Sequence, residues 1–276
     1  MGRVLLIGDN PELAGTLVGS SRLRTHQIEN CTGGVEALRR IRDHAIDVVL
    51  TDPATSMAED LALAGEVLVL RPGVRVIVLA AQATREEVIA SLRAHVFACF
   101  TMPFDYQEIV DMIRRGLDAS GWRDGIEVTS GLPDWFTMRV SSHLLTAERL
   151  VRFMAEYQSA LPDDERDLLM TAFREMLLNA MEHGSGFDSE KVIEVTAAKT
   201  ARSIVYHFRD SGSGFDRAGL PHAARSFDPE EVLAATLRRA EMGLRPGGLG
   251  VLITRQIADE LVFNERGNEV LLIKYL

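Results

Sequence analysis

Three short motifs in the second half of the sequence combine residue types that could bind a nucleotide. The first is Glu175-Met-Leu-Leu-Asn179-Ala-Met-Glu-His183, in which a carboxyl, an amide and an imidazole recur at every fourth residue. Residues four apart share one face of an α-helix, so these side chains would form a polar row with steps of about 6 Å. Such a row alone is typical of a solvated helix face. The apolar stripe that would pack the same helix against a sheet comprises Leu169, Phe173, Met176 and Ala180.

Two glycine-rich motifs follow this row. Asp210-Ser-Gly212-Ser-Gly214 comes directly after a predicted strand. Its glycines allow the backbone to approach a ligand closely, and its aspartate could accept a hydrogen bond from an exocyclic amine such as adenine N6. Gly247-Gly248-Leu249-Gly250 opens a helix whose free N–H groups and positive dipole end would attract phosphate. Either motif alone also fits a plain turn or a packing site, but the three in this order predict an ATP pocket.

The elements that would position these motifs form an α+β domain. Strands are predicted at 135–140, 192–200 and 203–210, helices at 146–159, 163–183 and from Gly248, and two short strands end the sequence. Helices grouped around antiparallel strands are typical of a two-layer sandwich. We therefore assign residues 133–276 to an ATP-binding domain, preceded by a linker rich in glycine and serine at 120–132.

The first half, residues 1–119, has a different order of predicted strands and helices. β-Branched runs at 3–7, 26–31, 46–51, 74–80 and 96–100 alternate with stretches of helical apolar spacing. Continuous apolar strands separated by helices predict a doubly wound α/β domain with a parallel sheet. The functional positions of such a sheet lie at the carboxyl ends of its strands. In this sequence those positions are Asp9, Asp52, Ala80 and Met102.

Composition disfavours several classes of protein. With 40 acidic and 30 basic residues the net charge is −10, which opposes binding to the phosphates of nucleic acids. The apolar runs are too short for a membrane span, and the sequence does not open with the pattern of a secretory leader. The two cysteines, Cys31 and Cys99, lack CxxC spacing, which argues for reduced thiols and against a zinc site. We expect a cytoplasmic protein that binds a small ligand or a protein partner, without contacting nucleic acid or membrane.

From about Leu145 onward the motif series resembles the GHKL ATPases, whose ATP-binding domain has the Bergerat fold. The resemblance implies that Asn179 holds the Mg²⁺ that bridges the phosphates of ATP, as suits an amide oxygen facing a hard cation. It implies that Asp210 binds the adenine base of ATP. It also implies a lid over the nucleotide at 217–246, in which Arg225 or Arg245 is a candidate phosphate contact. The other nucleotide contacts that it implies are His183, Gly212, Gly214, Gly248, Leu249 and Gly250.

Among the GHKL branches, the sequence resembles the anti-sigma-factor serine/threonine kinases. Histidine kinases need a phosphoacceptor histidine on a dimerising hairpin, and His143 is interpreted instead as a structural residue at a helix start. The topoisomerase, chaperone and mismatch-repair branches carry a further domain after the ATP fold, which this sequence does not show. The resemblance implies that Glu175 takes the proton from a partner's hydroxyl group during phosphoryl transfer, although it could instead activate or orient water. An extra helical stretch at 228–242 departs from the pattern of that branch.

The first half resembles a response-regulator receiver domain, which has a flavodoxin-like fold. Asp52 follows the third strand, where that family is phosphorylated, and Asp9 is one of the two acids expected after the first strand. Gly8 replaces the other acid, Ala80 replaces a hydroxyl residue, and Met102 replaces a lysine. These differences predict weak Mg²⁺ binding and poor support for a phosphoryl group. We interpret this half as a pseudo-receiver that serves docking or dimerisation, with phosphorylation of Asp52 as the alternative.

Three functions are consistent with these motifs. The favoured one is a partner-switching protein kinase that phosphorylates a STAS-type anti-sigma antagonist and also binds a sigma factor, under the control of its receiver-like half. The family resemblance further implies a homodimer. The alternative is an ATP-gated signalling module that sequesters a partner without phosphoryl transfer. The third is a phosphorelay output driven by Asp52.

Overall fold

The computed structural model describes residues 1–119, 123–214 and 249–276, together with residues 228, 230, 233, 234, 237 and 241. The chain forms two compact units, Met1–Asp124 and Gly125–Leu276. Of the predicted nucleotide contacts, Arg225, Arg245 and Gly248 lie outside the described residues, as does most of the predicted lid at 217–246. In the described ranges, no helix is both long and apolar enough to cross a bilayer.

The first unit is a five-stranded parallel sheet with strand order β2-β1-β3-β4-β5. This order confirms the doubly wound, flavodoxin-like fold that the alternating pattern predicted. The strands are β1 (Arg3–Ile7), β2 (Gln27–Cys31), β3 (Val48–Leu50), β4 (Arg75–Ala80) and β5 (Ala98–Thr101). The helices are α1 (Pro11–Gly19), α2 (Gly34–Asp43), α3 (Met57–Leu70), α4 (Arg85–Arg93) and α5 (Tyr106–Asp118).

Side-chain caps determine where two helices of this unit begin. The Ser56 hydroxyl accepts a hydrogen bond from the backbone N–H of Glu59, and the Glu59 carboxylate accepts one from the backbone N–H of Ser56. Thr84 and Glu87 form the same reciprocal capping box at the start of α4. These boxes satisfy N–H groups that a helix start leaves without partners. They therefore fix the direction in which the chain leaves β3 and β4.

The second unit is a six-stranded antiparallel sheet with strand order β10-β11-β9-β8-β7-β6. Its strands are β6 (Ile126–Leu132), β7 (Trp135–Ser141), β8 (Val192–Lys199), β9 (Ser203–Arg209), β10 (Glu260–Phe263) and β11 (Glu269–Tyr275). Within residues 125–214 and 249–276 its α-helices are α6 (Leu144–Tyr157), α7 (Asp163–Asn179) and α8 (Gly250–Ile257). Helices packed on an antiparallel sheet confirm the predicted α+β sandwich.

Helix α7 is anchored on the sheet by its apolar stripe. The Phe173 ring lies 4.8 Å from that of Tyr206 and 5.1 Å from that of Phe208, both on β9. The four predicted members of the stripe are all buried, which confirms that face of the helix. Burial of this stripe holds the opposite, polar face of α7 in a defined position. α7 also packs against α6 and α8.

The predicted linker at 120–132 is wrong over its second part. Residues from Ile126 to Leu132 form strand β6, which pairs with β7 at the edge of the sheet. The pairing shifts between Val128 and Ser130, and only Ile126 of this strand is buried. Ile126 and Val128 alternate with polar residues, but residues 129–131 are polar or glycine, so the strand lacks the longer alternation by which a strand is recognised. The second unit therefore begins at Gly125 and not at residue 133.

Candidate functional site

The first motif lies where α7 changes into a π-helix. α7 ends at Asn179, and Ala180–Ser185 continue as a π-helical segment, so the predicted α-helix over 163–183 is wrong at its end. Ser185 Oγ lies 2.7 Å from Ser142 Oγ and donates to Met181 O at 3.0 Å, which supports the wider turn. Glu175 and Asn179 share a face of α7 as predicted, whereas His183 lies in the π-helical segment. His183 Nε2 lies 3.6 Å from the neighbouring carboxylate of Glu182.

The Asp210 carboxyl group, directly after β9, lies against the backbone of the π-helical segment. A Cβ atom at Gly184 would stand 2.2 Å from Asp210 Cγ, and one at Gly212 would stand 2.7 Å from Gly184 O. Both positions therefore exclude any residue except glycine unless the backbone moves. Asp210 Oδ1 accepts a hydrogen bond of 2.8 Å from the N–H of Gly212. Partial burial raises the pKa of Asp210, and this hydrogen bond opposes that rise.

The second glycine of this motif meets the turn between β10 and β11. Gly214 has a φ of +81°, and a Cβ atom there would stand 1.7 Å from Arg266 O. In the same turn, Asn268 is bonded to Asp210 through both its backbone and its side chain. The three sequence motifs do not include this turn, although an asparagine followed three residues later by Gly267 is a recognised turn signal. Gly184, which follows the first motif directly, is also outside them.

The third motif brings the start of α8 against Glu175. Gly250 is the first residue of α8, and a Cβ atom there would stand 2.4 Å from Glu175 Oε2. The Glu175 side chain is 17% exposed, and its Oε1 lies 3.6 Å from Arg174 Nη1. Leu249 precedes the helix and is partly exposed. The predicted base and a helix N-terminus, two features far apart in the sequence, are therefore neighbours in the fold.

Glu175, Asn179, Asp210 and the start of α8 form a cradle of the kind that a nucleoside triphosphate requires. The Asp210 carboxylate could accept a hydrogen bond from the amine of adenine, and the N–H groups at the start of α8 could donate to phosphate. Asn179 is partly exposed on the same face as Glu175 and offers an amide oxygen suited to Mg²⁺. The residues present therefore fit ATP and Mg²⁺. Glycine at each close approach lets these segments of the chain lie directly against one another.

The strand-end residues of the first unit give a different arrangement. A Cβ atom at Gly8, which has a φ of +90°, would stand 2.0 Å from Asp52 Oδ2. The Asp52 carboxylate thus occupies the space into which a side chain at position 8 would extend. Ala80 is buried, and the Met102 side chain is 56% exposed. These residues do not fit a phosphoryl group, because they offer neither the second acid nor a hydroxyl or ammonium partner.

A second carboxyl group, which no sequence motif indicated, lies behind Asp52. Asp60 is only 2% exposed in α3, and its Oδ1 lies 2.6 Å from Thr55 Oγ1. The same hydroxyl oxygen lies 2.6 Å from Asp52 O. One hydroxyl proton serves one acceptor, so both contacts are hydrogen bonds only when Asp60 is protonated. Burial raises the pKa of Asp60 to about 6, and the nearby Asp52 and Glu59 carboxylates add to the rise.

His143 has the structural role predicted for it. It is the N-cap residue of α6, and its Nδ1 accepts a hydrogen bond of 3.2 Å from the N–H of Leu145. A ring nitrogen engaged in this way satisfies a free N–H group of the helix start. The capping contact accounts for this histidine without a role in phosphoryl transfer.

Comparison with known protein families matches residues 140–274 to the histidine kinase-like ATPase domain. Among curated proteins, the chain is 27% identical to the transcriptional regulatory protein GlrR of Escherichia coli K12 over 135 residues, covering 47% of this chain and 30% of that protein. It is 26% identical to the DNA-binding transcriptional regulator NtrC of Azospirillum brasilense over 117 residues, covering 42% of this chain and 24% of that protein. The chain thus spans less than a third of the length of these curated relatives.

Among solved structures, the BeF3-activated DrrB receiver domain is 20% identical with a TM-score of 0.37, covering 43% of this chain and 99% of that one. A CheY-like receiver domain protein from Methanospirillum hungatei JF-1 is 22% identical with a TM-score of 0.38, covering 43% of this chain and 94% of that one. The first unit has the strand order of a receiver-like fold, and the second contains most of the matched ATPase region. The first unit therefore has a receiver-like fold, and residues 140–274, which include the antiparallel sheet from β8 onward, are similar to the histidine kinase-like ATPase domain.

Proposed function

We propose that this chain, in which a receiver-like domain precedes a histidine kinase-like ATPase domain, is an ATP-dependent serine/threonine protein kinase of the partner-switching type. Its substrate would be a small anti-sigma antagonist of the STAS fold. The proposal rests on the contact between Glu175 and Gly250. This contact places a carboxylate at the N-terminus of α8, which is the end of the helix that can bind phosphate. A base next to the phosphates is what transfer to a hydroxyl group requires.

The proposed step transfers one phosphoryl group to the partner. The serine or threonine oxygen attacks the γ-phosphorus, and a new O–P bond forms as the bond to the bridging β,γ-oxygen breaks. ADP leaves with the electron pair of that bond, and the hydroxyl proton passes to the Glu175 carboxylate. Asn179 would hold the Mg²⁺ that neutralises charge on the phosphates. Asp210 would hold adenine and so orient the whole nucleotide.

One contact favours the alternative function. The Arg174 guanidinium lies 3.6 Å from Glu175 Oε1 and engages the carboxylate that would accept the proton. If this ion pair persists when a partner is bound, the Glu175 carboxylate cannot approach the hydroxyl group of that partner freely. The chain would then be an ATP-gated module that sequesters its partner without modifying it.

Incubation of the full chain with γ-³²P-labelled ATP and candidate STAS antagonists tests the proposal. We expect label on serine or threonine of one antagonist, and we expect Glu175→Gln to abolish labelling while ATP binding persists. Glu165→Gln, at an exposed position of the same helix, is the matched control and should label normally. Normal labelling by Glu175→Gln would contradict the assignment of the base. An ATP-dependent complex with an unmodified antagonist, seen by mass spectrometry, would favour the sequestering module.

A further inference from the structure

The turn between β10 and β11 is organised by two asparagines. Asn264 Oδ1 accepts hydrogen bonds from three backbone N–H groups, those of Gly267 at 2.7 Å, Asn268 at 3.1 Å and Glu269 at 3.3 Å. Asn264 Nδ2 donates to Asn268 Oδ1 at 2.9 Å. Because Asn264 can offer only a donor at this point, the amide of Asn268 must direct its oxygen to Asn264 and its nitrogen away from it. The turn therefore orients the amide of Asn268.

That orientation is transmitted to Asp210. Asn268 Nδ2 donates to Asp210 O at 3.2 Å, and the N–H of Asp210 donates to Asn268 O at 3.1 Å. Asn268 is only 9% exposed, so neither bond is easily exchanged for water. Asn268 therefore forms hydrogen bonds with both the N–H and the carbonyl oxygen of Asp210. The contact between Gly214 and Arg266 O holds the far end of the same motif against the same turn.

We propose that Asn268, oriented by Asn264, is a positioning residue for the base-reading carboxylate and thereby sets the preference of the site for adenine over guanine. This inference rests on the proposed role of Asp210 in ATP binding. Asp210 Oδ1 is engaged by the N–H of Gly212, so the backbone position of Asp210 decides where its second oxygen points. Adenine has an amine donor at the ring position where guanine has a carbonyl acceptor. An acceptor held in one place discriminates between them, whereas one free to move aside does not.

Asn268→Asp is the sharpest test, because the new side chain has the same shape. Its oxygens still accept from Asn264, but it cannot donate to Asp210 O, and it adds a negative charge next to that backbone carbonyl oxygen. With calorimetry on the full chain, we expect the Kd for Mg·ATP to rise about tenfold and the ratio of GTP to ATP affinity to rise by a similar factor. The Kd for Mg²⁺-tripolyphosphate, which has no base, should change less than about twofold.

Arg209→Gln is the matched control. It makes the same change in net charge one residue from Asp210, in a side chain that is 58% exposed and paired with Glu269. We expect it to leave the ratio of ATP to GTP affinity unchanged. If Asn268→Asp does not fold, Asn268→Ala removes the same donor without adding charge, and it should lower the selectivity in the same direction.

The outcomes separate this inference from the proposed function. A wild-type chain that binds no ATP contradicts the proposed function itself. A wild-type chain that prefers ATP, with Asn268 variants that keep the full preference, overturns only the positioning role. A uniform loss of affinity for ATP, GTP and tripolyphosphate would also overturn it, because that pattern indicates general damage to the fold.

Discussion

Asp210 in the second unit and Asp52 in the first both follow a strand, and both press a carboxyl group against a glycine. At Gly184 a Cβ atom would stand 2.2 Å from Asp210 Cγ, and at Gly8 one would stand 2.0 Å from Asp52 Oδ2. Around Asp210 the N–H of Gly212 donates to the carboxylate, and the turn at 264–268 is hydrogen-bonded to the backbone of Asp210. Around Asp52 the carboxylate itself fills the space in which a second acid would stand. The same contact therefore supports a ligand cradle in one unit and a closed arrangement in the other.

The difference shows that a glycine next to an acid does not by itself indicate a binding site. What matters is which partners surround the pair. Asp210 is accompanied by a helix start, by Glu175 and by Asn179. Asp52 is accompanied by the buried Ala80 and by Asp60, a second carboxyl group that burial keeps partly neutral. The start of α8 supplies N–H donors that can offset the charge of Glu175 and of an anionic ligand, whereas in the first unit Ala80 offers no side-chain donor to a phosphoryl group.

The largest expected effect comes from removing one acceptor oxygen in the second unit. In Asp210→Asn, one of the two side-chain heavy atoms becomes a donor, so the group cannot accept from both the N–H of Gly212 and an adenine amine. We expect the Kd for Mg·ATP, measured by calorimetry, to rise by about 100- to 1,000-fold. Asp52→Asn is the equivalent change in the first unit and should leave this Kd unchanged. Similar losses in both variants would contradict the contrast between the units.

Asp60 makes the stability of the first unit depend on pH. Its pKa is about 6 in the folded chain against an ordinary value of 3.8, so the folded state binds the proton more tightly. The free energy of unfolding of this unit should therefore fall as pH rises from about 3 to about 7, by about 3 kcal/mol in total, and this contribution should be lost above that range. Amide hydrogen exchange of α3 in the full chain, recorded at several pH values, measures this slope.

The control for this slope is a pair of variants. Asp60→Asn should remove the slope, since an amide does not ionise, and it should leave the unit more stable above pH 6. Asp118→Asn, at an exposed position of α5, should leave the slope as it is. A wild-type slope that persists in Asp60→Asn would show that another group titrates.

Gly184→Ala tests the cradle at its tightest point. The new methyl group would overlap the Asp210 carboxyl group, so either Asp210 or the π-helical segment must shift. We expect the Kd for Mg·ATP to rise about tenfold. Gly65→Ala, in α3 where a Cβ atom meets nothing within 4 Å, is the matched control and should raise stability slightly. Full ATP affinity in Gly184→Ala would mean that this contact does not define the site.

The smallest expected effect is the response of the first unit to a phosphoryl mimic. Beryllofluoride with Mg²⁺ should leave the amide resonances of Asp52 and its neighbours unchanged, because Gly8, Ala80 and Met102 supply no partners for the group. Two-dimensional NMR of the labelled chain measures this. Clear shifts confined to the ends of β1, β3 and β4 would contradict the interpretation as a pseudo-receiver.

Much of the fold was predictable because the patterns are strong. The buried strands of the first unit are continuous apolar runs, and the stripe around Phe173 has clear helical spacing. The three motifs could be found because chemistry restricts their residue types. β6 was missed because its alternation of apolar and polar residues is short, and the π-helical segment because it is accompanied by a contact between Ser185 and Ser142, which are 43 residues apart. Gly8, Asp60 and Asn268 act through tertiary neighbours, and sequence spacing alone does not report those.

Hydrogen exchange of the full chain with and without Mg·ATP tests the central claim most directly. If ATP binds in the cradle of the second unit, exchange should slow in peptides that contain residues 175–185, 210–214 and 249–257. The protection at 210–214 should disappear in Asp210→Asn and persist in Asp52→Asn. Unchanged exchange in all three segments at an ATP concentration that calorimetry shows to be saturating would contradict the account.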